Sequence, residues 1–235
     1  MIRNIISVST VILVTAIGVV INLIILPLHN RGMVIWSRLV LAISGIRLDV
    51  HGRERLKASG SYIFLINPES ALDIPIAVAA TRKSSRFMAK KELFRVPFFG
   101  WLLKLCNHIP IDRGNRQKAV ESINSVSSKL VKKKISIIVS PEGTRSVDGK
   151  IMPFKKGAFH LAEKYDLPLV PVTIMGARHC MPNKTLRIFP GTVTVQIGAP
   201  VYLSYYHTID ECIEDVRQNM INQKENYEQK RLSQT

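Results

Sequence analysis

Cysteine is scarce in this 235-residue sequence: Cys106, Cys180 and Cys212 are too few and too widely spaced to suggest a disulfide framework or a CxxC-type metal site. Acidic residues are also few, with 17 Asp and Glu against 33 Lys and Arg, a formal net charge of +16. The excess lies before residue 210, with 29 basic and 11 acidic side chains, whereas the last 26 residues are slightly acidic. Internal repeats and low-complexity segments are absent, which argues against a solenoid or a disordered array. The length suits one sizeable α/β domain with an appendage rather than two full enzyme domains. A strongly basic chain of this kind suits nucleic acid, an anionic membrane surface, or phosphorylated and thioester-linked substrates. Cysteine usage points to a reducing, cytoplasm-facing domain.

Charge is missing altogether from Ile5 to Leu28, a run of 24 residues. A helix of that length crosses a hydrocarbon core of roughly 30 Å, while the apolar part of a signal peptide is only about 7–15 residues long. With no convincing small-residue cleavage site, the run is expected to be an uncleaved anchor. A second apolar stretch, Met33 to Ile46, follows Arg31 and contains Arg38. It is too short to span and suits an interfacial helix or the returning limb of a hairpin. The expected organisation is therefore a membrane anchor over residues 1–46 and a catalytic-size domain over 47–235.

Beyond the anchor, Tyr62 to Ile66, Ser136 to Val139 and Leu169 to Ile174 are short continuous apolar runs of the kind found in buried parallel strands. Arg116 to Leu130 carries Val120, Ile123, Val126 and Leu130 at helical spacing, and Lys156 to Tyr165 continues the alternation. This order predicts an α/β fold, a mostly parallel sheet flanked by helices. After the Pro190-Gly191 turn, Val193, Val195 and Ile197 alternate as in a strand near the sheet edge or a hairpin. Thr208 and Glu211 form a capping box that starts a helix running toward Asn226, with a solvated tail from Glu228.

Two loops carry chemistry. Ser140-Pro141-Glu142-Gly143-Thr144-Arg145 follows an apolar strand, so its backbone N–H groups and the Arg145 fork suit phosphate oxygens. Ile109-Pro110-Ile111-Asp112-Arg113-Gly114 sets a second cation at the same sheet edge, where ligands of open α/β sheets gather. Val170 to Ile174 reads as a core strand or an acyl-contacting wall. The basic clusters Arg82-Lys83, Lys90-Lys91 and Lys132 to Lys134 are solvated faces by default, with a membrane-facing role as the second reading.

These blocks, from about Ile63 to Ile174, resemble those of the membrane-associated glycerophospholipid acyltransferases of the lysophosphatidic acid acyltransferase type. PEGTR at 141 to 145 and IPIDRG at 109 to 114 are the specific matches. The resemblance implies that Arg113, Glu142, Gly143, Thr144 and Arg145 engage the phosphate of the acceptor, with Lys91 assisting. It implies an acyl-CoA or acyl carrier protein thioester as co-substrate, lysophosphatidic acid as acceptor, membrane lipids as surroundings, no further cofactor and no metal. It also implies an inner-membrane location with the catalytic domain facing the cytoplasm.

The chain departs from the family at the first block, where the family pattern is Asn-His, four residues, then Asp. Here residues 67 to 73 read Asn67-Pro68-Glu69-Ser70-Ala71-Leu72-Asp73. Pro68 offers no nitrogen to take a proton from the acceptor hydroxyl, and Asp73 is left as an orienter with no imidazole. None of the six histidines has an Asp five positions later. Glu69 is adjacent, but a neighbouring side chain projects in another direction. Three readings remain: an acyltransferase impaired at its base or supplied with one from elsewhere, a catalytically silent lipid- and donor-binding relative, and a nucleic-acid module. The last lacks zinc-ligand spacing and does not account for the apolar run.

Overall fold

The computed structural model describes residues 29–233 apart from 98, 113, 115, 147, 184 and 186. The apolar run from Ile5 to Leu28 lies outside the described residues. Three strands follow the sequence closely: β2 (Ile63–Ile66), β5 (Ser136–Val139) and β6 (Leu169–Met175). Every residue in them is buried, as their unbroken apolar character requires. They lie side by side, β2 pairing in parallel with both β5 and β6.

Around this centre the seven-stranded sheet has the order β1-β7-β6-β2-β5-β3-β4, with β1 (Ile46–His51), β3 (Ser85–Lys90), β4 (Ile109–Ile111) and β7 (Gly191–Ile197). Its pairings are parallel except β6 with β7, which is antiparallel. The predicted mostly parallel sheet is thus observed, and β7 stands one place from the edge.

Helices cover the faces. α1 (His29–Ile43) and α2 (Asp73–Thr81) pack on each other and bury Met33, Val40, Leu41, Ile76 and Val78 in one core. α1 therefore has one face in the domain core, while Ile35 and Leu39 are exposed on another. Among the described residues no helix is long and apolar enough to cross a membrane. A separate core beneath the opposite face joins Leu130 of α4 (Arg116–Lys132) and Phe159 of α5 (Gly157–Tyr165) to Val216 and Met220 of the C-terminal helix α7 (Ile209–Leu232). Short helices α3 (Phe99–Leu105) and α6 (Ala177–Cys180) complete the set.

α7 spans Ile209–Leu232 and corrects the expected end near Asn226. The segment expected to be a solvated tail is helical to Leu232 because it still has something to pack against: Tyr227 reaches Gly176, and Arg231 contacts His179 on α6. The helix begins as expected, with Thr208 Oγ1 accepting from the Glu211 N–H at 3.1 Å. The Glu211 carboxylate reaches back to the His207 N–H at 3.0 Å, one residue before the cap.

Where β2 ends, the chain turns away but the ladder to β6 continues through a side chain. The Asn67 amide donates to the Ile174 carbonyl at 2.8 Å, and the Ile174 N–H donates to Asn67 Oδ1 at 2.7 Å. Asn67 is 2% exposed, so no water replaces these bonds. Asn67→Ala leaves both backbone groups of Ile174 unpaired in the interior and is expected to lower the unfolding free energy by roughly 2–4 kcal/mol, read from the chemical-denaturation midpoint.

Candidate functional site at the carboxyl edge of the sheet

The parallel strands β2, β5, β3 and β4 deliver their following loops to one edge, so blocks far apart in sequence meet there. The Asn67–Asp73 turn leaves β2, and the loop after Ser140 leaves β5. The two are stitched together by the Ser146 N–H, which donates to the Pro68 carbonyl at 3.0 Å. Pro68 is buried and lies between the strand and the helix, so its missing N–H and fixed φ disturb neither element.

Asp73 is the first residue of α2 and is 3% exposed. Its Oδ2 accepts from the N–H groups of Glu69 and Ser70, each at 2.7 Å, and closes the turn. Its Oδ1 is buried and has no hydrogen-bond partner. Burial pushes the carboxyl up to about 8, against the pull of the Ser70 N–H and the charge of Arg145.

Glu142 is also turned inward. Its Oε2 accepts from the Met152 N–H at 3.1 Å, its Oε1 is buried without a partner, and the side chain is 4% exposed. Burial raises it to about 7, with Arg217 opposing and the neighbouring Asp73 adding to the rise. Glu142 thus holds its loop against the 152 segment, while Thr144 and Arg145 are exposed to solvent. Gly143 has φ +75°, and a Cβ there would stand 2.8 Å from Lys155 Nζ, so the glycine permits both the turn and the overlying lysine.

Lys91 reaches Asp112 Oδ2 at 2.6 Å, and Asp112 Oδ1 accepts from the Gly114 N–H at 3.0 Å, which braces the second block. Arg113 lies outside the described residues. A cavity of about 1180 Å³ opens beside these loops. Met88, Ile111, Ile123, Phe154 and Leu161 give it an apolar wall, and Lys155, Lys156, Lys164 and His160 also line it. These cations and the histidine were not singled out from the sequence, although Lys155 and Lys156 follow the PEGTR loop closely.

Glu69 was expected to project away from the base position, and it points to α7. Its Oε1 forms an ion pair with Lys224 and accepts from the Asn67 amide at 3.2 Å. Both partners are buried, and burial lowers the Lys224 ammonium to about 8. Lys224 continues the inward stripe of Ile213, Val216 and Met220, a lysine at a core position of an otherwise apolar face. That spacing was the available signal for this pair.

A sequence profile of the Acyltransferase family matches residues 47–175, more than half of the chain. The protein belongs to the acyltransferase family. A 1-acyl-sn-glycerol-3-phosphate acyltransferase of Cocos nucifera is 38% identical over 165 residues, 70% of this chain and 53% of the relative. One of Saccharomyces cerevisiae is 35% identical over 182 residues, 76% of this chain and 60% of the relative. The chain thus spans a little over half the length of these curated relatives. The fold is shared with the crystal structure of the 1-acyl-sn-glycerophosphate (LPA) acyltransferase PlsC of Thermotoga maritima, at a TM-score of 0.83 and 24% identity over 97% of each chain.

Two outcomes follow from the buried charges. Lys224→Met leaves Glu69 unpaired and is expected to cost roughly 3–5 kcal/mol, most of it recovered in the double variant with Glu69→Gln, by denaturant titration. For Asp73, the folded-state value of about 8 lies above the unfolded value of 3.8, so between these the folded protein holds a proton that the unfolded chain has lost. The resulting contribution is full below about pH 4 and fades as pH rises toward 8. Asp73→Asn should flatten that part of the curve of denaturation midpoint against pH.

Proposed function

We propose that the chain is a membrane-bound acyltransferase scaffold that holds a fatty acyl thioester and lysophosphatidic acid and, through Pro68, lacks the base that makes their reaction fast. The observation that carries the reading is the convergence of the first-block turn, the PEGTR loop and an apolar cavity at one sheet edge. The apolar wall matches a fatty acyl chain, and the exposed Arg145 and Lys155 match the anionic phosphate. Arg113 and Lys91 belong to the same phosphate-binding proposal. Lys91 would act from its present pairing with Asp112. Thr144 and the N–H groups around Gly143 add donors.

In the reaction the acceptor hydroxyl oxygen bonds to the thioester carbonyl carbon, the C–S bond breaks, and the hydroxyl proton ends on the leaving thiolate. A base beside the hydroxyl carries that proton in the transition state and contributes about 10²–10⁴-fold. Pro68 cannot do so, and Glu69 is engaged by Lys224. The buried Asp73 Oδ1 has no hydrogen-bond partner, which supports a role as acceptor for an imidazole N–H. A second reading, a silent binder of lipid and acyl donor, is favoured by the same orphaned oxygen. In either reading residues 1–46 associate with the membrane, the catalytic domain faces the cytoplasm, and the donor is acyl-CoA or acyl carrier protein.

Acyl transfer to lysophosphatidic acid in detergent, compared between this chain and Pro68→His, tests the proposal. Pro68→His is expected to raise kcat by about 10²–10⁴-fold and to pull Asp73 well below its present value, because the new N–H favours the carboxylate. Equal rates would show that another group supplies the base.

A further inference from the structure

We propose that the 3-10 turn Lys91–Arg95 and helix α3 form a docking knob that inserts into an anionic lipid surface beside the cavity, separately from the N-terminal apolar run. The two elements share a small core of their own, in which Phe94, Leu103 and Ala89 pack together with Phe87. Their junction is tight: the Gly100 N–H donates to the Val96 carbonyl at 2.7 Å, and a Cβ on Gly100 would lie 2.3 Å from the Phe94 carbonyl oxygen. With Phe94 and Leu103 turned in, Leu93, Val96 and Trp101 are turned out, 40%, 43% and 62% exposed.

An exposed Trp among aliphatic side chains suits the headgroup level of a bilayer, where the ring has both apolar and polar surroundings. The surrounding charge fits an anionic surface. Arg95 and Lys104 are exposed, Lys90 is half-exposed beside Glu92 at 3.7 Å, and Lys91 is paired with Asp112. Glu92 is the one acidic residue between Lys90 and Lys104, against four basic ones. The strand that leads into the knob stands near α1: Met33 Sδ lies 3.9 Å from the guanidinium of Arg86 on β3. The uncharged run ending at Leu28 leads directly into α1, whose outer face shows Ile35 and Leu39, so a bilayer reached by that run lies within reach of the knob. The strand before the knob contributes Met88 and Ala89 to the cavity, which places the lipid surface at the cavity mouth.

The inference rests on the reading that the chain works at a bilayer. The test uses the full chain carrying Trp36→Phe, so that Trp101 is the only tryptophan, bound to phosphatidylcholine–phosphatidylglycerol vesicles brominated near the headgroup. Trp101 fluorescence is expected to be quenched by bromine and protected from aqueous iodide. Leu93→Ser with Val96→Ser should abolish bromine quenching while sedimentation with vesicles persists, and removing Arg95 and Lys104 should lower the insertion constant about fivefold per charge. Sedimentation without bromine quenching would overturn the knob alone. Trp101 shielded from iodide before vesicles are added would also overturn it, because another part of the chain or a second copy then covers the patch. Failure to sediment would overturn the membrane reading together with the knob.

Discussion

The Asn67 side chain replaces backbone at the point where backbone is no longer available. β2 must leave the sheet to become the first-block turn, yet Ile174 on β6 still needs a partner for its N–H and its carbonyl. A primary amide satisfies both, because it presents a donor and an acceptor in the spacing of a peptide group. The turn therefore starts from a fixed point. From it, Asp73 collects the next two N–H groups, the Pro68 carbonyl receives Ser146, and the PEGTR loop is held against its neighbour. The site is an outgrowth of the ladder rather than a loop laid over it.

Much of this was legible in the sequence where one physical signal dominated. Continuous apolar runs announced β2, β5 and β6, because a strand covered on both faces has no polar side to show. β1 was missed because its half-exposed alternation, Ile46, Leu48 and Val50 against Arg47, Asp49 and His51, adjoins an apolar stretch that read as anchor. β3 was missed because Ser85-Arg86-Phe87-Met88-Ala89-Lys90 fits neither periodic template, with Arg86 among the most deeply buried side chains. Within the site, the loops and their cations were readable as local motifs. The inward turn of Glu142 and the lysines lining the cavity depend on how distant elements pack, which no spacing rule carries, and helical spacing marks Lys224 as inward without naming Glu69 as its partner.

Pro68 is compatible with the architecture and incompatible with the chemistry expected of its position. It lies in the turn between β2 and α2, outside both elements, where proline is tolerated. The carboxyls around it are held in a costly state: Asp73 and Glu142 are both buried, each has one oxygen unpartnered, and each is shifted toward the neutral form. Keeping two such carboxyls costs stability, which is characteristic of functional sites rather than of optimised cores.

The Glu69–Lys224 pair ties the order of events in folding to the order of synthesis. Glu69 emerges early from the ribosome and carries a charge that cannot be buried alone, whereas its partner belongs to the last helix described. Until α7 docks, the turn beside Pro68 must stay solvated or Glu69 must hold a proton. The turn beside Pro68, and with it this edge of the sheet, thus takes its final shape only after α7 has been made.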